Sequence, residues 1–320
     1  MLELGKTKME ISPLGMGTWA IGGGPAWGDR DEEQCIETIV KAPEKGINLI
    51  DTAPAYNFGN SEKIVGKALK RMDRSKVKII TKCGIVWNRK GSLFNKVGDV
   101  QLYKNLSPES ILREVEESLD RLQTDYIDVY MTHWQSVEPY YVPIRDTMEA
   151  LMRLKEEGLI KAIGAANVTT EHIKQYLSFG ELDIVQGKYS ILDREAENSL
   201  IPVCRENKIT FQAYSPLEQG LLSGKYTKEY IPKGAQANKK WFQKDNIGKV
   251  IDMLDSWEPL CEKYHCSDAQ LALAWLMGQG SYMNVLTGCS KVEQLNENAG
   301  ALEVQLEEKD MDWMRSSANL

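Results

Sequence analysis

Several polar residues in this 320-residue chain stand where short apolar runs end. Asp51 closes Ile47-Asn-Leu-Ile-Asp51, and Lys82 closes Val77-Lys-Ile-Ile-Thr-Lys82. His133 closes Ile127-Asp-Val-Tyr-Met-Thr-His133, and Tyr56 follows Asp51 in Asp-Thr-Ala-Pro-Ala-Tyr. A free tyrosine keeps its proton to about pH 10, too tightly for easy donation at neutral pH. A neighbouring ammonium lowers that value by stabilising the phenolate, and a carboxylate holds the ammonium in place. Asp51, Lys82 and Tyr56 therefore suit a tuned general acid, with His133 able to orient a carbonyl oxygen or share the proton. Each has a plainer reading alone: a turn cap for Asp51, a snorkelling side chain for Lys82, a satisfied core histidine for His133. An acid, a lysine and a histidine closing successive runs are harder to dismiss, because charges at such positions are costly unless paired.

The runs lie at 47–50, 77–80, 127–131, 160–163, 184–185, 209–211 and 285–286, with a weaker one at 11–16. Their length and composition are those of buried parallel strands. Helical stretches alternate with them at 32–42, 61–70, 170–177, 197–206, 267–277 and 292–302. Ser107-Pro108-Glu109 opens another, whose apolar face is Ile111, Val115, Leu119 and Leu122. The helix bearing Met148, Leu151 and Leu154 stops at Gly158, placed for a left-handed residue. Eight strand–helix pairs without a composition break predict an α/β fold, a (β/α)8 TIM barrel in one domain over 1–320. A doubly wound sheet is the competitor. In a barrel the strand-end residues, including Asn167, Gln186 and Tyr214, converge on one mouth. The long connections 83–106 and 215–246 both follow strands and belong at that mouth.

Gly15-Met-Gly17-Thr18-Trp19-Ala20 fits a G-x-G-x-x-A dinucleotide fingerprint, but it runs into Gly22-Gly-Gly-Pro25 instead of opening a helix. It reads as a turn at the end of the first strand. Cys261, His265 and Cys266 provide three candidate zinc ligands without a fourth, so they read as a helix end, and no metal site is expected. The six scattered cysteines read as reduced cytosolic thiols, and no secretory leader or membrane span is visible. A cytoplasmic protein is expected. The apolar and charged shares, 42% and 27%, are those of a globular chain, and the net charge of −7 argues against a nucleic-acid backbone as partner.

Asp51-Thr-Ala-Pro-Ala-Tyr56-Asn-Phe-Gly-Asn-Ser61-Glu62, Thr81-Lys82, Thr132-His133-Trp134 and Ala213-Tyr214-Ser215-Pro216-Leu217 resemble the aldo-keto reductase superfamily in content and order. The segments 17–27 and 82–87 narrow the resemblance to bacterial NADH-dependent members that act on methylglyoxal. The resemblance implies a barrel that binds a nicotinamide cofactor across its mouth, with Asp51, Tyr56, Lys82 and His133 as the catalytic tetrad. Hydride would pass to a carbonyl carbon while Tyr56 protonates the oxygen.

The same resemblance implies cofactor contacts from Gly17, Thr18, Trp19 and Asp51, with Asn167 and Gln186 on the carboxamide and Tyr214 stacked on the nicotinamide ring. The loop 215–225, through Ser215, Leu217, Gly220 and Lys225, would cover the pyrophosphate. Gly288, Ser290, Gln294 and Asn298 match the adenosine-binding segment. Trp19, Trp87 and Trp134 would join Tyr56 and His133 around the substrate. Gly288 and Gln294 stand where NADPH-preferring relatives carry cations, and a 2′-phosphate favours a guanidinium fork, so NAD(H) is expected over NADP(H). The implied substrates are small aldehydes, 2-oxoaldehydes of the methylglyoxal kind or sugar-derived carbonyls. Their choice is expected to lie in 87–103, 134–143 and the C-terminal tail. Oligomeric state is not legible. A redox-sensing or channel-associated subunit of the same fold is the alternative, and a Schiff-base aldolase using Lys82 is a third reading.

Overall fold

In the computed structural model, which describes residues 1–25 and 27–320, the alternation closes into a ring of eight parallel strands. We number these β1 Leu14–Gly17, β2 Leu49–Asp51, β3 Lys78–Cys83 and β4 Ile127–Thr132, then β5 Ile160–Ala166, β6 Ile184–Lys188, β7 Thr210–Tyr214 and β8 Met283–Gly288. Neighbours in sequence are neighbours in the sheet, and β8 returns to β1. The helices are α1 Glu32–Lys41, α2 Asn60–Leu69, α3 Pro108–Leu122, α4 Ile144–Glu156, α5 Thr170–Phe179, α6 Leu200–Glu206, α7 Asp268–Met277 and α8 Val292–Gly300. Ser107 caps α3 by accepting Ser110 N–H at 3.3 Å, and Gly158 takes φ 78° just past α4, as their sequences demand.

Strand alternation divides the apolar residues between two cores. The larger lies between the outer strand faces and the helices, where Ile111, Val115 and Leu122 of α3 are buried. The smaller fills the barrel interior with Leu49, Ile80, Val129, Met131, Ala162, Ala166 and Ile184. Leu2, Leu4 and Ile11 of an N-terminal hairpin, Leu2–Glu3 paired with Glu10–Ile11, complete this inner cluster. The weak run at 11–16 is therefore two elements, with Ser12 and Pro13 between hairpin and β1.

Other departures have local causes. The stretch 197–206 is broken at Ser199 (φ −132°, ψ −85°), which separates a short 3-10 turn from α6. The connection 83–106 contains an antiparallel sheet of Ile85–Val86, Ser92–Val97 and Val100–Lys104. The connection 215–246 is built on 3-10 turns, and helices Lys244–Ser256 and Glu258–Tyr264 follow before α7. Cys261, His265 and Cys266 do form a helix end: His265 is its left-handed cap, and the Cys261 thiol donates to Asp268. His172 also serves a cap, its Nδ1 accepting Thr169 N–H at 3.2 Å. The tail forms the helix Glu308–Ser317, anchored on the outer layer by Trp257 and Trp275 N–H bonds and an Arg315–Glu197 pair. None of those bonds is made to a tetrad residue. Ala26, within the 17–27 segment, lies outside the described residues.

Candidate active site

The inner faces of the strands change character within one step. Asp51, Lys82, His133 and Gln186 each stand two positions beyond an inner-core residue: Leu49, Ile80, Met131 and Ile184. A period of two keeps each pair on one face, so the apolar floor carries a polar layer directly above it. Lys82, fully buried, donates to both Asp51 oxygens at 2.7 and 2.8 Å, to Thr52 O at 3.0 Å and to Tyr56 OH at 3.2 Å. His133 is half-buried, its ring edge-on to Tyr56 at 5.9 Å between centroids. The four tetrad residues are together.

The electrostatics correct one expectation. Burial raises the Tyr56 phenol well above its ordinary value and the Asp51 carboxylate raises it further, so the expected lowering by Lys82 does not occur. The first cause is desolvation of the buried phenol, and the Asp51 carboxylate, which also holds the ammonium at 2.7 Å, adds to it. Burial also lowers Lys82, with Asp51 opposing. His133 lies well below its usual range because it is desolvated and faces the Lys82 charge, so the imidazole is neutral. The resting site is thus a protonated phenol, a neutral imidazole and a closed ion pair.

The other sequence-predicted residues fall in three groups. At the mouth, Gly17 pairs in register with Asp51 and Gly288, and Thr18 donates to Asp51 O at 2.8 Å. Asn167 (φ 53°) donates to His133 O at 2.9 Å and accepts from Tyr214 OH at 3.0 Å. Gln186 donates to Asp51 Oδ2 at 2.9 Å and Gln212 Oε1 at 2.6 Å. Its amide N–H groups are thus engaged inside the barrel, and only its carbonyl oxygen is left for a ligand. In the loop after β7, Ser215 (φ 56°) accepts from Gln219 Nε2 at 2.8 Å, Leu217 is half-buried, Gly220 has φ 94° and Lys225 is exposed. Beside β8, Gly288 is exposed, while Ser290 and Asn298 are buried. Gln294 accepts Ser290 N–H at 3.0 Å.

Aromatic rings surround this centre. Trp19, 44% exposed, meets Trp27 edge-on at 5.1 Å; Trp87 meets Phe58 at 5.5 Å, and Trp134 meets Phe94 at 5.4 Å. Sequence reasoning gave no site role to Trp27 and Phe58, which lie in turns, or to Phe94, which lies in a short strand bulged beside Leu93. It also missed the amide chain that continues from Gln186 through Gln212 to Asn284 Oδ1 (2.7 Å) and on to Ser12 O (2.8 Å). Its signal was present: Gln212 and Asn284 are amides inside otherwise apolar strands, aligned in register.

The residues fit a nicotinamide cofactor on two observations. At the mouth the Gln186 carbonyl oxygen is left free while Asn167 holds the Tyr214 hydroxyl, and Gln219 Oε1 is a buried acceptor without a partner among the described residues. The loop carrying Gln219 also holds three non-glycine residues, Ser215, Glu218 and Gln219, at positive φ. Such strain gathers at ligand clamps. Among the described residues no helix is long and apolar enough to cross a membrane.

Comparison with known proteins agrees with this geometry. Residues 13–319 match the aldo/keto reductase family. The chain is 60% identical over 318 residues to an NADH-specific methylglyoxal reductase of Escherichia coli K12, covering 99% of this chain and 98% of that one. It is 39% identical to a Bacillus subtilis aldo-keto reductase over 92% of this chain and 86% of the relative. A glycerol dehydrogenase of Gluconobacter oxydans superposes with a TM-score of 0.89 at 30% identity, covering 99% of this chain and 94% of that structure. The chain therefore belongs to the aldo/keto reductase family and is an NAD(P)H-dependent carbonyl oxidoreductase.

Proposed function

We propose that this chain, as one barrel domain in the cytoplasm, reduces small aldehydes and 2-oxoaldehydes such as methylglyoxal, with NADH as the preferred reductant. The observation that carries the reading is the contact of a buried, carboxylate-locked Lys82 with Tyr56 OH at 3.2 Å, beside a neutral His133. A bound reduced nicotinamide supplies the hydride, and with it the electron pair, to the carbonyl carbon. Tyr56, held protonated at rest, gives its proton to the oxygen as negative charge develops there. Lys82 stabilises the resulting phenolate, and Asp51, itself held by the Gln186 amide, keeps the ammonium in place. His133, neutral, offers a hydrogen bond that orients the carbonyl without competing as a stronger acid. Asn167, Gln186 and Tyr214 would hold the nicotinamide end, and the loop 215–225 would cover the pyrophosphate.

Preference for NADH follows from the region beside β8. Gln294 Oε1 already occupies the Ser290 N–H, so an acceptor stands where a phosphate needs donors. Gly288 contributes no side chain, and a Cβ there would meet nothing within 4 Å. Lys291 is the remaining cation. The E. coli relative carries the words NADH-specific and methylglyoxal in its name, in keeping with both halves of the reading. Oxidation of NADH and NADPH is to be followed against a panel of aldehydes, 2-oxoaldehydes and keto-sugars. Turnover of methylglyoxal with NADH and little with NADPH is the expected result. Equal or better turnover with NADPH overturns the cofactor assignment, and no turnover of any carbonyl overturns the reaction.

A further inference from the structure

Lys104 ends the strand Val100–Lys104 in the sheet that follows β3, in register with Ile85 on one side and Ser92 on the other. Residues directly opposite in a ladder project from one face, and Ser92 shows where that face points. Its hydroxyl donates to Val137 O at 2.5 Å and accepts Tyr140 N–H at 3.0 Å, both in the segment that follows His133. The Lys104 ammonium lies 4.9 Å from the ring centre of Trp134 and 5.3 Å from that of Phe94. Trp134 adjoins His133 in the chain, so this cation sits beside the wall of the catalytic mouth.

Its surroundings lack a counter-charge. Of the other cations of this connection, Arg89 pairs with Glu117 and Lys96 with Asp99, while Lys90 is exposed to water. Lys104 makes no ion pair and donates no side-chain hydrogen bond among the described residues, and burial alone acts on its ionisation. A half-buried ammonium that has lost part of its water and gained only two ring faces remains an open site for an anion. In a chain of net charge −7, such a vacancy beside a reacting centre favours acidic ligands locally.

We propose that Lys104 is a specificity subsite for a carboxylate or phosphate carried by the carbonyl substrate, binding that anion while the carbonyl addresses Tyr56 and His133. Trp134 and Phe94 hold the ammonium in position for it. The enzyme would then act on acidic aldehydes and ketones as well as neutral ones. The inference rests on the carbonyl-reductase reading above.

The test compares kcat/KM for matched substrates with NADH: succinic semialdehyde against its methyl ester, and glyceraldehyde 3-phosphate against glyceraldehyde. In the wild type the charged member of at least one pair is preferred, and added salt erodes that preference. Lys104→Met keeps the stem and removes the charge; the charged-to-neutral ratio should fall roughly tenfold or more, as for loss of a charged hydrogen bond. Lys104→Arg should retain it. A fall confined to one pair identifies the anion as carboxylate or phosphate. A wild-type ratio indifferent to salt, or a ratio unmoved in Lys104→Met, overturns the subsite while leaving the reductase reading intact. If neither the neutral nor the charged substrates turn over, both readings fail. The salt series on the wild type decides the matter even if a variant misfolds.

Discussion

A buried ion pair stands at each end of β3, one shared with β4 and one with β2, and the two ends use charge differently. At the start of β3 and β4, Arg74 meets Asp128 at 2.6 Å and also donates to Val77 O, Tyr126 O and Thr124 Oγ1. Asp128 in turn accepts Ile79 N–H at 3.0 Å. All but the local Arg74–Val77 bond tie one segment to another. At the far end, Lys82 and Asp51 form an equally close pair, but one Lys82 bond goes to the phenol of Tyr56, a group that must exchange a proton. The lower pair closes upon backbone and the upper pair opens upon a reactant. In a barrel the first kind serves stability and the second chemistry.

Substitutions should separate the two ends. The largest effect belongs to Tyr56→Phe, which removes the proton donor and leaves the ion pair beneath it intact. Steady-state NADH oxidation should fall by about 10²–10⁴-fold, the usual contribution of general acid catalysis, while fluorescence titration shows NADH still bound. Near-normal turnover would sink the mechanism. Lys82→Met comes next because it damages both functions. It strands Asp51 without its cation, which should cost about 3–5 kcal/mol in chemical denaturation, and it abolishes turnover as well. Arg74→Met should cost roughly 3 kcal/mol, the low end of the same range, since Lys161 also approaches Asp128 at 3.7 Å. Its kcat per folded molecule should be unchanged. Loss of turnover in a folded Arg74 variant would erase the distinction between the ends.

The upper layer was legible in the sequence because strands impose a period of two. Asp51, Lys82, His133 and Gln186 each follow an apolar residue by two positions, and polar residues at such places have no structural reason to be there unless paired. The (β/α)8 order was legible for the same reason, from runs and helix caps. What the sequence concealed is set by tertiary contact. Whether Tyr56 is lowered depends on how deeply the phenol is buried and how closely Asp51 approaches it, and no spacing encodes either. The sheet between β3 and α3 is short, irregular and bulged near Leu93, so its alternation is faint. Phe94 and Lys104 acquire meaning only when that sheet folds back onto the loop after His133.

Glu114 tests the comparison most finely, because it resembles neither pair. This buried carboxyl on α3 accepts Gly84 N–H at 2.9 Å, just past the end of β3, and the Ser110 hydroxyl at 2.9 Å. It has no cation within ion-pair distance among the described residues, and burial pushes it up to about 7, with the hydrogen bonds and Arg89 opposing. The native state therefore holds this proton at acidities where the unfolded chain, near about 4.3, has released it. Because the native state binds more protons in that window, its stability contribution falls as pH rises from about 4.3 towards about 7 and is level above. Glu114→Gln removes the titration while preserving an acceptor for Gly84 and a donor for the Ser110 oxygen. Urea denaturation of both proteins should show the wild type losing up to about 2 kcal/mol relative to the variant between about pH 5.5 and about pH 7. Parallel pH profiles would mean that Glu114 is ionised in the fold, satisfied as fully as the Arg74–Asp128 pair despite lacking a cation at its side.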